Sequence, residues 1–208
     1  MFARLRSWLA FVEGPSLESV RKRFVAIDVE TTGLDPRRDT IVSLAAIPFI
    51  DGAPAPGYVT LVDPGRPIPP ESTAIHGLTD GMVRGSPPLE RVLHGAEEVI
   101  DGAVLVGHNV GFDAAVLARA RRARGLPRLR NPIIDTCRLA ASLHPLWRDF
   151  SLEAIAERLD VEVVARHTAE GDALTAGRIL VAFLPELRAR RVRTVGELLW
   201  WARNAPPR

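Results

Sequence analysis

Five residues have the types and spacing to do chemistry together: Asp28, Glu30, Asp113, His167 and Asp172. The first two stand at the end of an apolar run, in the stretch FVAIDVETTGLD over residues 24–35. In a strand, residues i and i+2 face the same way, so Asp28 and Glu30 project together with Cα atoms about 7 Å apart. Two carboxylates at the end of an apolar strand repel each other and resist desolvation, and a hard divalent cation between them relieves both penalties. Taken alone, the pair favours a plainer account, a solvated strand end whose acids cap turn backbone.

The other three residues change the balance. Asp113, in LVGHNVGFDAAVL, follows a second apolar run at the start of a helical pattern, where an acid also suits the helix macrodipole. In RHTAEGDALTAG, His167 precedes Asp172 by five residues. Within a helix that spacing would separate the two side chains by roughly 140°. They share a site more readily if His167 lies in the loop before the helix, as a mobile base beside a fixed ligand. Singly, His167 also reads as an ordinary loop histidine and Asp172 as a solvated helical acid.

DVETTG, HNVGFD and HTAEGD, in this order and at these separations, resemble the three motifs of the DEDDh branch of the DnaQ-like 3′→5′ exonucleases. The proofreading epsilon subunit of bacterial DNA polymerase III is the familiar member of that family. The resemblance spans about residues 23–184 and implies a ribonuclease-H-like fold. It implies that Asp28, Glu30, Asp113 and Asp172 bind metal and that His167 is the general base. It also implies that Thr31, Thr32 and Gly33 position a terminal nucleotide, that Ile75 and His76 contact its base, and that Asn109 holds backbone or substrate. Turn chemistry is the alternative for the threonines, and a surface position the alternative for His76. Gly33 is expected at positive φ, Phe112 in the core, and Asp135 in a structural role.

The chemistry is coherent on its own terms. Phosphodiester hydrolysis needs an activated water, relief of charge on the transition state and a stabilised leaving oxygen, and a pair of divalent ions can serve all three. Four carboxylates supply the charge to hold them, and a histidine can take the proton of the water near neutral pH. Magnesium or manganese suits such an oxygen-rich site better than zinc. The expected activity is metal-dependent 3′→5′ hydrolysis at single-stranded or frayed 3′ ends of DNA, releasing nucleoside 5′-monophosphates. RNA or short oligonucleotides are the alternative substrates, and a polymerase or repair protein is a candidate partner. A non-catalytic nucleic-acid-binding or polymerase-accessory module is the reading from another class. The intact set of four acids and a histidine argues against it.

The elements that must position these residues follow from pattern. FVAID, TIVSLAAIPF and GYVTLVDP, separated by turn signals, predict three antiparallel strands. A Pro-rich connection leads to a loop or short helix through AIHGLTDGMV. Beyond Pro87-Pro88, Leu89, Val92, Leu93, Ala96, Val99 and Ile100 recur at helical spacing. AVLVGHN reads as a buried strand, FDAAVLARARRARG as a helix ended by Gly125, and PIIDTCRLAASLHP as a strand running into a helix. Ser151 is the expected N-cap of LEAIAERL, and a last long helix runs from about Ala169 to about Leu187. The fold class is α/β: a mixed sheet, three antiparallel strands then parallel ones, with helices on both faces.

The expected organisation is a helical N-terminal extension over 1–22, an exonuclease domain over 23–186 and a helical C-terminal extension over 187–208. Leu5, Trp8, Leu9, Phe11 and Val12 at one end, and Val192, Val195, Leu198, Leu199, Trp200 and Trp201 at the other, need apolar cover. Packing on each other is the default, and a protein contact the alternative. An apolar fraction of 47% and a charged fraction of 25% suit a globular chain. The single cysteine, Cys137, excludes an intrachain disulfide and a zinc–cysteine cluster. With no run long enough to span a membrane and WLAFV too short for a signal peptide, a cytoplasmic protein is expected. Net charge is only +2, yet six arginines and no acid fall within residues 119–130, and Arg188, Arg190, Arg191 and Arg193 form a second group. They suit phosphate binding, or reflect a chain with one lysine, Lys22, whose default surface cation is arginine.

Overall fold

The computed structural model describes residues 15–203. The longest apolar runs form its central strands, β1 (Arg23–Thr31) and β2 (Ile41–Ile50), paired antiparallel. A short β3 (Ala53–Pro54) and β4 (Tyr58–Leu61) both pair with β2, giving the expected antiparallel set. On the other side of β1, β5 (Leu105–Gly107) and then β6 (Ile133–Asp135) add in parallel, so the order is β3-β2-β1-β5-β6 with β4 also on β2.

Alternation along β1 divides the core. Phe24 and Ala26 face one way, where Phe24 stacks on Phe49 of β2 at 4.8 Å. That layer is built from α1 (Leu17–Lys22), α6 (Thr136–Leu143), α7 (Leu152–Arg158), α8 (Ala169–Ala189) and α9 (Val195–Arg203). Val25, Ile27 and Val29 face the other way, against α4 (Leu89–Ile100) and α5 (Gly111–Arg122). The mixed sheet with helices on both faces is therefore as expected. Two short helices, α2 (Pro70–His76) and α3 (Asp80–Val83), occupy the stretch read as a loop or short helix. Ser151 caps α7 by accepting the Ala154 N–H.

The described ends of the chain meet. Leu17 N–H donates to Arg193 O at 2.7 Å, and Val195 N–H to Pro15 O at 2.8 Å. Helix α9 buries Leu198 and Ala202 in the same core as Leu139 and Phe183. Arginines of the second group stitch this corner: Arg188 pairs with Glu18 at 2.7 Å, and Arg190 pairs with Glu186 and lies over the Trp201 ring. These two arginines are engaged within the chain, while Arg191 and Arg193 are exposed. Leu5, Trp8, Leu9, Phe11 and Val12 lie outside the described residues. Among the described residues no helix is long and apolar enough to cross a membrane.

Because Leu198 is fully buried, Leu198→Ala is expected to cost about 2–5 kcal/mol by removing packed methyl groups. Urea unfolding checks this, and a loss below about 1 kcal/mol would place α9 outside the cooperative core.

Candidate active site

Asp28 and Glu30 lie on the face of β1 that carries Phe24 and Ala26, one strand-turn beyond where the apolar side chains stop. Opposite them on β2 stand Ala45 and Ser43, small residues that leave room for the acids. Pairing shifts register between Glu30 and Thr31 but continues with Thr31 opposite Ile41 and with the Thr32 N–H bond to Thr40 O.

Asp172, in the first turn of α8, comes from the helical layer on that same face. Carboxylate oxygens of Asp28, Glu30 and Asp172 all lie within 4.8 Å of one another. Asp113 arrives from the opposite layer, on the first turn of α5. It joins the group through backbone: Val29 N–H, between the two strand acids, donates to Asp113 Oδ1 at 2.9 Å. The reason lies in strand lengths. Val25 N–H is taken by Val104 O on the β5 side, but β5 ends at Gly107. Past that point the N–H groups on this edge need another acceptor, and the Asp113 carboxylate provides it.

Burial raises the pKa of all four acids, and crowding adds to it. Burial and repulsion from Asp113, Glu30 and Asp172 hold Asp28 well above the usual carboxylate range. Burial, then Asp172 and Asp113, push Glu30 up to about 8. Burial raises Asp113 to about 6 against the pull of the Val29 N–H bond, and burial raises Asp172 while Arg166 opposes it. Arg166 was not among the expected site residues. Its guanidinium pairs with Asp172 and with Glu153 of α7, so it ties the two helices together and places positive charge beside the acids. Its position next to His167 was a usable signal; Glu153, 13 residues earlier, gave none.

His167 stands in the loop before α8, exposed, with Thr168 as the N-cap. Its N–H approaches Asp172 Oδ1 at 3.4 Å, and its φ of 62° lies in the left-handed region. The loop packs closely on the helix because Gly171 has no side chain; a Cβ there would meet Val164 O at 2.1 Å.

The remaining expected positions divide. Gly33 does not adopt a positive φ. Its smallness serves a contact instead, since a Cβ there would fall 2.5 Å from Asp39 Oδ2. His76 is buried rather than on the surface. It accepts Leu78 N–H at Nδ1, so Nε2 carries the proton and donates to Thr31 O at 3.2 Å. Burial lowers its pKa, in keeping with a neutral ring. Ile75, beside it, is half exposed. Thr31 and Thr32 are buried and engaged locally: Thr31 Oγ1 donates to Gly33 O, and Thr32 Oγ1 to Asp39. Asn109 is exposed with φ 52°, its N–H held by Asp135. Asp135 also caps α6, and Phe112 packs in the core.

Arginines 119–130 do not act as one patch. Arg119 reaches the carbonyls of Pro36 and Asp39 beside the TTG loop. Arg121 is buried and paired with Glu97. Arg122, Arg128 and Arg130 are exposed, and α5 carries the chain about 13 Å from Asp113 before the first of them.

Each raised acid holds its proton more firmly folded than unfolded. That contribution to stability is full below the ordinary carboxylate range and is lost as pH rises through about 8 for Glu30. In chelator, thermal stability is expected to fall between pH 5 and pH 8, and Glu30→Gln should flatten the slope. Equal slopes in the two proteins would refute the assignment.

Comparison with known proteins gives this arrangement its context. A family model described as Exonuclease (RNase_T) matches residues 25–180. A DNA polymerase III subunit epsilon-like protein of Rhodobacter capsulatus is 41% identical over 181 residues, which is 85% of this chain but 26% of that protein, so the chain spans about a quarter of that relative's length. The solved structure of exonuclease X in complex with 5′ overhanging duplex DNA aligns over 86% of this chain and 98% of that one, with 28% identity and a TM-score of 0.67. E. coli exonuclease I in complex with a dT13 oligonucleotide aligns over 82% of this chain and 42% of that one, with a TM-score of 0.71 and 18% identity, a likeness of fold. With three quarters of its length matched by the family model and its acids gathered at one strand end, the chain belongs to the RNase_T exonuclease family.

Proposed function

We propose that the protein is a metal-dependent 3′→5′ exonuclease that hydrolyses the terminal phosphodiester of a single-stranded or frayed DNA 3′ end and releases nucleoside 5′-monophosphates. One observation carries the reading: acids from β1, α5 and α8 converge at a single strand end in a chain of the exonuclease family. The donor set fits a hard divalent cation, because the ligand atoms are all carboxylate oxygens and their repulsion has few other remedies in a buried place. Asp28, Glu30, Asp113 and Asp172 would hold two such ions, Mg²⁺ or Mn²⁺, with zinc less suited to oxygen ligands. Bound ions would supply activation of water and relief of charge on the phosphate.

The rest falls to the chain's own residues. The strand fixes Asp28 and Glu30 on one side, and the Val29 N–H bond orients Asp113. His167, exposed beside Asp172, takes the proton from the attacking water. Thr31, Thr32, Gly33, Ile75, His76 and Asn109 position the terminal nucleotide, and the His76–Thr31 bond joins two of those segments. The similarity to a structure holding 5′ overhanging duplex DNA supports DNA as substrate, and the epsilon-like relative supports a polymerase or repair partner. The exonuclease unit is assigned to 23–186, with 1–22 and 187–208 as extensions. A reducing cytoplasm suits the single, buried cysteine Cys137.

Labelled DNA and RNA oligonucleotides incubated with Mg²⁺, Mn²⁺ or EDTA test the proposal. DNA should shorten from its 3′ end with either metal and remain intact in EDTA, and Asp113→Ala should be inactive. Chelator-resistant activity, or activity retained in Asp113→Ala, would sink it. His167→Ala should slow single-turnover cleavage by roughly 10²–10⁴-fold. As the side chain is exposed, its unfolding midpoint should barely move, whereas a collapse in stability would make His167 structural.

A further inference from the structure

We propose that Asp39 is a positioning residue for the 3′-terminal nucleotide, acting through the Thr31–Gly33 segment; this rests on the exonuclease reading above. Asp39 sits at the end of the turn between β1 and β2, with its side chain 13% exposed. Its carboxylate gathers three donors from separate places. Oδ1 accepts Thr32 Oγ1–H at 3.0 Å and Arg66 Nη2–H at 3.1 Å, and Oδ2 accepts Asp35 N–H at 2.9 Å.

Main-chain bonds close the ring around it. Thr32 N–H donates to Thr40 O at 2.9 Å, and Thr40 N–H returns to Thr32 Oγ1 at 3.1 Å. Gly33 lies against the same carboxylate so closely that any side chain would displace it. The loop that leaves β1 after Thr31 is thus wrapped on one charged group. A loop held by a charge-assisted network keeps its geometry better than one held by turn propensity alone.

Two further links give Asp39 reach. Arg66 lies in the connection leading to α2, which ends in His76, itself bonded to Thr31 O. Arg119, on the helix that carries Asp113 in its first turn, donates to Asp39 O and to Pro36 O. The turn at Asp39 therefore fixes Thr32 and Gly33 relative to the His76 segment and to the Asp113 helix. Its bonds go to the nucleotide-facing loop rather than to the four acids, so its effect should fall on substrate binding.

The test separates those effects. Asp39→Asn is nearly isosteric, but its NH₂ must face a donor on one side of the network. Binding of a 5′-fluorescein single-stranded DNA oligonucleotide, measured by anisotropy in Ca²⁺, should weaken about tenfold. Mn²⁺ affinity measured by calorimetry should stay within about twofold, and in turnover the loss should appear in KM with kcat little changed. Thr32→Val should weaken binding comparably, and the double variant should be no worse than either single one. Unchanged oligonucleotide binding in Asp39→Asn, or a matching loss of Mn²⁺ affinity, would overturn the proposal. Should Asp39→Asn not fold, Arg66→Gln, on an exposed side chain, and Thr32→Val decide it, and normal binding in both refutes it. A wild type that binds the oligonucleotide but never cuts it fails the exonuclease reading and leaves the Asp39 comparison standing. A wild type that binds none refutes both.

Discussion

Carboxylates crowded at the end of a buried strand repel one another and lose hydration, and the architecture around β1 answers that tension. Asp28 and Glu30 cannot relax apart, because the strand that bears them is paired with β2 at both positions and with β5 just before them. Asp113 is held by a main-chain N–H that has no strand partner. Asp172 is held by its helix and by Arg166. Their proton affinities rise chiefly because burial strips their hydration, and repulsion among the acids adds to this at Asp28, Glu30 and Asp113.

The geometry depends on where elements stop. Were β5 longer, it would take the Val29 N–H and exclude Asp113 from the strand edge. The register shift between Glu30 and Thr31 comes just before the pairing of β1 with β2 ends, where Thr32 turns its hydroxyl to Asp39. The layers then converge on one edge, α8 from the face that Asp28 and Glu30 share and α5 from the face behind it. The acids are buried or half-buried on regular elements, while His167 is exposed on a loop with a left-handed backbone. That division suits fixed ligands beside an accessible base.

Reading by pattern worked where the signal was local. The apolar run of β1, the Ser151 cap and the extent of α8 depend on neighbours within a few residues, and each stands where the pattern put it. The expected positive φ of Gly33 and the alternative surface position of His76 failed for a common reason. A glycine in a turn suggests positive φ, yet here the missing Cβ makes room for Asp39, six residues away. A histidine before Gly-Leu suggests a surface loop, yet its ring is buried against Thr31 O, 45 residues distant in sequence. The arginine clusters were ambiguous likewise, since an arginine's role depends on which acid or carbonyl folding brings to it.

The sequence by itself determined which side chains could hold metal and move a proton, and it placed two acids on one strand face, because strand alternation is a local property. It also carried the family motifs in order. Only the tertiary structure decided that Asp172 meets the strand acids within 4.8 Å, that Asp113 enters through the Val29 N–H, and that Arg166 and Asp39 support the site. Those outcomes follow from crossovers that bring distant helices to one sheet edge and from the point at which β5 ends. A linear pattern encodes which residues prefer burial, but the partner of a buried polar group is set by the packing of the whole chain.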